Sequence, residues 1–267
     1  MDDLIYDLGL HRGEDTEFYL MKGFRVVAVE ANSDLCAQVG ERLEKFVANG
    51  KLTIVNKAIS RTRGVVKFYK SQESQWSTVV DSWAARNERL GSKSEVQLVE
   101  AVSLAELLEE FGTPYYMKID IEGMDRVALE AAADSGVRPK FLSIESEKVS
   151  VRRLEEEIAM LKDMGYGCFK VVQQWDVPKQ VPPHPALEGA YVEHHFVRGS
   201  SGLFGEEAPG EWLSAKQALK RYKRAFWKYR LYGDRPIIGG ELTRKVARRL
   251  GMHPGWYDTH AKHSSAD

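Results

Sequence analysis

The sequence predicts an α/β fold, a mainly parallel sheet flanked by helices on both faces. Two observations carry this. Strand-like apolar runs alternate with segments of helical period through the first half of the 267 residues. The composition, 43% hydrophobic and 29% charged, is that of a folded globular chain.

The elements follow in order. LIYDLG (4–9) reads as a buried strand ending in a turn, and EDTEFYLMKG as a helix stopped by Gly23. FRVVAVE (24–30) is the second strand, SDLCAQVGERLEKFVANG the second helix, and KLTIVNKAIS holds the third strand. VVKFYK reads as an extra strand, half of a hairpin, and the polar SQESQWSTVVDSW as a loop over the site. EVQLVEAVSLAELLEEFG combines a strand with a helix, with Ser103 and Glu106 spaced as a capping box. YYMKIDIEG is the next central strand, MDRVALEAAADSG its helix, KFLSIES another strand, and VRRLEEEIAMLKDMGY a helix ending at Gly165. CFKVVQQW and AYVEHHFVRG read as the last two strands. Helix-linked strands of this kind imply parallel pairing.

The chain changes character after residue 198, so the division expected is a main domain over 1–198 and a basic helical extension over 199–267, packed on the same domain. SAKQALKRYKRAFWKYRLY has Leu219, Tyr222, Phe226 and Tyr229 on one face, and ELTRKVARRLG reads as a shorter helix. From residue 210 onward there are 13 Lys or Arg and 5 Asp or Glu. A solvated face on a core-packed helix explains that excess; contact with an anionic substrate or partner, a membrane or a nucleic acid would also use it. His253, His260 and His263 fall in what reads as a polar tail.

Whole-chain charge gives no case for a nucleic-acid partner, because 38 Lys and Arg balance 39 Asp and Glu. Cys36 and Cys168 form no disulfide framework and no CxxC motif, so reduced thiols and a cytoplasmic location are expected. MDDLIYDLGL has neither the basic nor the apolar region of a signal peptide, and no run of eighteen apolar residues predicts a membrane span. A homo-oligomer is compatible with all of this.

The informative stretch is Asp7-Leu-Gly9-Leu-His11-Arg-Gly13, placed after a strand and before a helix. Glycine lets backbone approach a ligand closely, and the first crossing of a parallel sheet is a cofactor crevice. The stretch matches neither GxGxxG nor Walker A. Glu30, 23 residues after Asp7 at the end of the second strand, can accept from both hydroxyls of an adenosine ribose. Asn32 is as well suited to capping the next helix as to touching a ligand. Lys57, just past the third strand, completes the candidate cofactor set of Asp7, Gly9, Gly13, Glu30, Asn32 and Lys57. NAD also carries an adenosine ribose, so these residues alone leave a dehydrogenase open.

DLGLHRGEDTEFY, VVAVEANSDLC, VSLAELL and YYMKIDIEGMDRVAL together resemble the FkbM family of S-adenosylmethionine (SAM)-dependent methyltransferases in order and spacing. The likeness covers about Leu4 to Glu147. Its most specific feature is the K-x-D-x-E-G box, matched by Lys118, Asp120, Glu122 and Gly123. The family's first motif has a small residue where this chain has Leu10. The resemblance implies a Rossmann-like class I methyltransferase fold with a seventh, antiparallel strand, and SAM as cofactor. It also implies O-methylation of a small hydroxylated acceptor such as a sugar, polyol or natural product.

Methyl transfer to an alcohol needs in-line alignment and a base for the hydroxyl proton. Asp120 and Glu122 share one side of a central strand end with Lys118, and Glu145 ends the next strand. The catalytic candidates are therefore Asp120, Glu122, Glu145 and the loop residue His11, with a buried ion cluster as the plain structural alternative for the acids. Trp76 and Ser77 in the polar loop, Lys118, and His195 on a late strand are the candidates for acceptor contact. No zinc-type histidine spacing occurs, so zinc is not expected; the converging carboxylates serve acid–base work, with a divalent ion as the alternative. Two other readings stand beside this one. An NAD-dependent oxidoreductase would lack GxGxxG and any Tyr-x-x-x-Lys dyad, and a non-catalytic binding protein could share the fold.

Overall fold

The computed structural model describes residues 3–71, 77–81, 84, 85, 88, 91, 93–121, 123–146, 150–232 and 257–266. Its elements are β1 (Leu4–Leu8), α1 (Glu14–Met21), β2 (Arg25–Val29), α2 (Ser33–Arg42), α3 (Glu44–Ala48), β3 (Leu52–Val55), β4 (Ala58–Ile59), β5 (Gly64–Ser71) and β6 (Ser94–Val102). There follow α4 (Leu104–Phe111), β7 (Tyr116–Ile119), α5 (Asp125–Ser135), β8 (Phe141–Glu145), α6 (Val151–Asp163), β9 (Tyr166–Gln173), α7 (Ala215–Tyr232) and β10 (Tyr257–His263).

The main sheet has seven strands in the order β3-β2-β1-β7-β8-β10-β9. Strands β3, β2, β1, β7 and β8 pair in parallel, while β10 runs antiparallel to both neighbours. The α/β class, the parallel sheet and the antiparallel seventh strand implied by the resemblance are all present. A second sheet, β4-β6-β5, contains the expected antiparallel pairing of β5 with β6.

Period-two alternation sorts each strand onto two faces. Leu4, Tyr6 and Leu8 of β1, with Met117 and Ile119 of β7, join one core beneath α4, α5, α6 and α7. Ile5, Val26, Ala28, Tyr116 and Phe141 join the other, with Phe18, Tyr19 and Phe204. The second face carries a polar row through the middle of the sheet. Register places Asp7 beside Lys118, Lys118 beside Ser143, Ser143 beside His260, and His260 beside Lys170. All five are buried. Burial pushes the His260 imidazole down to about 3, and the nearby Lys170 charge adds to the shift.

Two expectations are corrected. AYVEHHFVRG is not a strand: it is irregular backbone that inserts Val192 and Phe196 into the second core, and His194 lies against Phe18 at 4.9 Å. The strand that completes the sheet is YDTHAKH, expected as a polar tail. It hides its polarity because Asp258 and His260 fall on the buried polar row's face while Thr259 and Ala261 face the opposite core. The sheet is thus completed from the segment 199–267. Helix α7 buries Ala218 and Tyr222, and Leu219 and Phe226 pack partly against the core. The side chain of Tyr229 and the stretch ELTRKVARRLG lie outside the described residues.

The capping box is formed: Ser103 Oγ accepts from the Glu106 N–H while the Glu106 carboxylate accepts from the Ser103 N–H. Ser103→Ala should therefore cost about 1 kcal/mol of stability. Urea denaturation checks this, and an unchanged midpoint would show the cap to be redundant.

Candidate active site

The site opens at the carboxyl ends of β1, β2 and β7, where the sheet order reverses direction around β1. It is a cleft of about 950 Å³ counting its open mouth. Gly9, His11, Glu30, Lys57, Ser77, Lys118 and Asp120, all sequence candidates, line it.

The turn after β1 is built by backbone constraints. Gly9 has φ +102°, and a Cβ there would lie 1.8 Å from the Asp120 carbonyl oxygen. The close approach that demands glycine is thus between two strand ends of this chain. His11 takes a left-handed backbone (φ 49°), and Gly13 another (φ 74°) that starts α1 and faces Val39. In this turned loop the His11 N–H donates to Glu30 Oε2 at 3.0 Å, and the Asn32 N–H donates to Glu30 Oε1 at 2.8 Å. Burial pushes the Glu30 carboxyl above its ordinary range, against the two N–H bonds that favour its charge. Asn32 caps α2, its side chain accepting from the Asp34 N–H. Lys57 pairs with Glu100 at 3.2 Å, and Ser77 Oγ accepts from the Ser71 N–H.

Behind the cleft lies an ion cluster. Lys118 Nζ donates to Asp7 Oδ1 at 2.9 Å and to the Gly9 carbonyl at 3.1 Å, and lies 3.3 Å from Asp15 Oδ2. Those three partners account for all three ammonium protons. The other Asp7 oxygen accepts from Thr16 Oγ1 at 2.6 Å. Asp7 and Lys118 therefore anchor the strand ends from beneath. Asp15, which the sequence did not single out, joins them and also accepts from the Ser201 N–H. It looked like an ordinary acid in the first turn of a helix.

Asp120 stands at the rim, 3.9 Å from Lys118 and partly exposed. Burial pushes its carboxyl up to about 7; Lys118 opposes the shift, and Glu145 and Asp125 add to it. Asp125 was also missed: its carboxylate accepts from the N–H groups of Ile121 and Gly123 and so fixes the turn after β7. Burial, followed by Glu145, raises its pKa to about 6. Register carries the acids one step further. Asp120 follows Ile119 as Glu145 follows Ile144, and Glu145 is paired with Asp258. Three carboxyls thus form one cross-strand row, and burial, first of all, holds Asp258 well above its ordinary value. Among the described residues no three His, Cys, Asp or Glu side chains are arranged to hold a metal ion.

Residues 7–168, more than half of the chain, match the family described as the methyltransferase FkbM domain. The chain belongs to the FkbM methyltransferase family. It is a SAM-dependent methyltransferase, which decides against the oxidoreductase reading. No curated protein matches significantly. Similar solved structures include a precorrin-6y C5,15-methyltransferase from Geobacter metallireducens, at 18% identity over 64% of this chain and 67% of that one, TM-score 0.36. Another is a SAM-dependent methyltransferase from Geobacter sulfurreducens in complex with S-adenosyl-L-homocysteine, at 14% identity over 98% and 84%, TM-score 0.37. A third is a putative sarcosine dimethylglycine methyltransferase from Galdieria sulphuraria, at 9% identity over 98% and 77%, TM-score 0.39.

The remaining candidates fall elsewhere. Glu145 ends β8 in the acid row and is not part of the cleft lining. His195 is exposed and likewise away from the lining. Glu122 and Trp76 lie outside the described residues. Among the described residues no helix is long and apolar enough to cross a membrane.

Proposed function

We propose that this FkbM-family enzyme transfers the methyl group to a hydroxyl oxygen of a small sugar, polyol or natural product, with Asp120 as the base. The observation that carries this reading is the position of Asp120 in the cleft lining, with its carboxyl raised to about 7 by burial and by Glu145 and Asp125, against the opposing charge of Lys118. A base with that pKa is half deprotonated near pH 7 and keeps enough basicity to share an alcohol proton.

When bound, SAM would supply an electrophilic methyl carbon on a sulfonium, with S-adenosylhomocysteine as the leaving group. Glu30 would accept from the two ribose hydroxyls, its carboxylate held in place by the His11 and Asn32 N–H groups. Gly9 and His11, which line the cleft, would help hold the cofactor. The acceptor hydroxyl gives its proton to Asp120 as its oxygen forms the new C–O bond. Lys118 stays bound to Asp7 and Asp15, and at 3.9 Å its charge favours the ionised form of Asp120. Lys57, from the cofactor set, and Ser77, from the acceptor set, line the same cleft and would face the ligands there.

The test is calorimetric titration with SAM, S-adenosylhomocysteine and NAD, followed by S-adenosylhomocysteine release over a panel of sugars, polyols and phenols. No release with any hydroxylated acceptor would sink the O-methylation reading, and release with amines alone would redirect it. Glu30→Ala should weaken SAM binding by about 1–3 kcal/mol, because two hydroxyls lose their acceptor. The same dissociation constant in a folded variant would remove Glu30 from the cofactor site.

A further inference from the structure

Methyl transfer leaves the chain's charge asymmetry unused. Residues 210–267 hold 13 of its 38 Lys and Arg but only 5 of its 39 Asp and Glu, so the rest of the molecule is acidic. Helix α7 concentrates this excess. Its inner side is committed to the core: Ala218 and Tyr222 are buried, and the Tyr222 hydroxyl bonds to Ser146 and Thr259. The outward stripe is Lys216, Lys220, Lys223 and Trp227, spaced four, three and four residues apart, with Arg224 beside it.

All five side chains are exposed, and the Trp227 indole is 66% exposed. Between α6 and α7 runs a groove floored by Ile158, Ala159, Ala215 and Leu219. Lys162 adds a cation on the α6 side. Two acids, Glu155 and Asp163, border the groove, and Glu155 is neutralised by Lys223 at 2.7 Å.

We propose that this face docks the enzyme on an anionic lipid surface. The lysine stripe meets the lipid phosphates while Trp227 enters the headgroup boundary beside the apolar groove. Charge complementarity selects an anionic partner, since an otherwise acidic molecule is repelled everywhere else. The indole and the apolar floor favour lipid over a polyanion, because a stiff chain of phosphates gives them nothing to bury against.

The helix direction fits this use. Helix α7 starts next to Leu213, which bridges to Phe169 in mid-β9, and by Tyr222 it has reached Tyr257, paired with Gln173 at the carboxyl end of β9. Trp227 lies about 7 Å further along the helix. The stripe therefore runs towards the carboxyl-end edge of the sheet, the same edge that carries Asp120. This inference does not depend on the acceptor or on the role of Asp120.

The experiment is flotation of the full chain with vesicles of phosphatidylcholine alone and with about 30% phosphatidylglycerol added, roughly a physiological anionic content. Binding is expected to the anionic vesicles only and to be lost on raising salt from about 0.05 to 0.5 M. The double variant Lys216→Glu/Lys220→Glu should lower the bound fraction at least about tenfold. Trp227→Ala should lower it several-fold with the salt dependence kept. All three substituted residues are exposed, and circular dichroism confirms folding. No flotation, equal flotation with neutral vesicles, or wild-type binding by the double variant would overturn the proposal. So would binding to duplex DNA or heparin without binding to vesicles, which would reassign the stripe to a polyanion.

Discussion

Asp120→Asn is expected to slow methyl transfer by about 10²- to 10⁴-fold, the usual effect of losing a general base, with SAM affinity nearly unchanged. The amide keeps the size of the side chain and removes only the proton acceptor. Glu30 and the turn after β1, which carry the cofactor assignment, are untouched. The measurement is single-turnover transfer to an acceptor that supports turnover, paired with calorimetric SAM binding. In the wild type the rate should rise with pH through about 7, as Asp120 loses its proton, and then level off.

Stability should move the opposite way to activity. Asp120 has a folded pKa above its unfolded one, so its contribution to stability is greatest at low pH. That contribution is lost as pH climbs from the ordinary carboxylate range towards 7. Asn carries no charge to bury, so the variant should melt at or above the wild-type temperature at neutral pH. Wild-type turnover in Asp120→Asn would make Asp120 structural and pass the base role to His11, which lines the same cleft.

Lys118→Met should cost about 3–5 kcal/mol of folding stability, the typical result of removing one partner from a buried ion cluster. Asp7 and Asp15 are buried and both depend on this ammonium. Methionine fills much of the volume, so the loss reports the missing charge and hydrogen bonds rather than a cavity. The deficit should shrink as pH falls and the stranded carboxyls protonate; burial already holds Asp15 above its ordinary range. Urea unfolding at pH 5 and pH 8 checks both parts. Equal stability of variant and wild type at pH 8 would show that the cluster does not hold the strand ends together.

Much of the site was legible because its signals are local. The Asp7–Gly13 turn, Glu30 at the end of β2, and the Lys118-x-Asp120 spacing each sit within one strand and its following turn. Period-two alternation alone puts Lys118 and Asp120 on the same side. Asp15 and Asp125 were not legible. Both are acids in the first turn of a helix, where the helix dipole already explains an acid, and only the folded chain aims them at Lys118, Ile121 and Gly123. His195 was misread for a related reason. Its segment has β-like residues, but Val192 and Phe196 are drawn into the aromatic core around Phe18, and the backbone follows them instead of joining the sheet.

The sequence by itself determined the α/β class, the family, the methyl donor and the strand ends around which the cleft opens. These follow from hydrophobic periodicity and from motifs contained within short windows. Only the tertiary structure decided that YDTHAKH, more than a hundred residues after β8, enters the sheet between β8 and β9 and sets Asp258 beside Glu145. It also decided that Lys118 spends its protons on Asp7, Gly9 and Asp15. The physical reason is shared. A polar strand is stable inside a protein only where distant strands supply partners for its polar groups, and a buried ammonium belongs to whichever carboxylates the fold brings within about 3 Å. Neither condition is written in any window of sequence short enough to read.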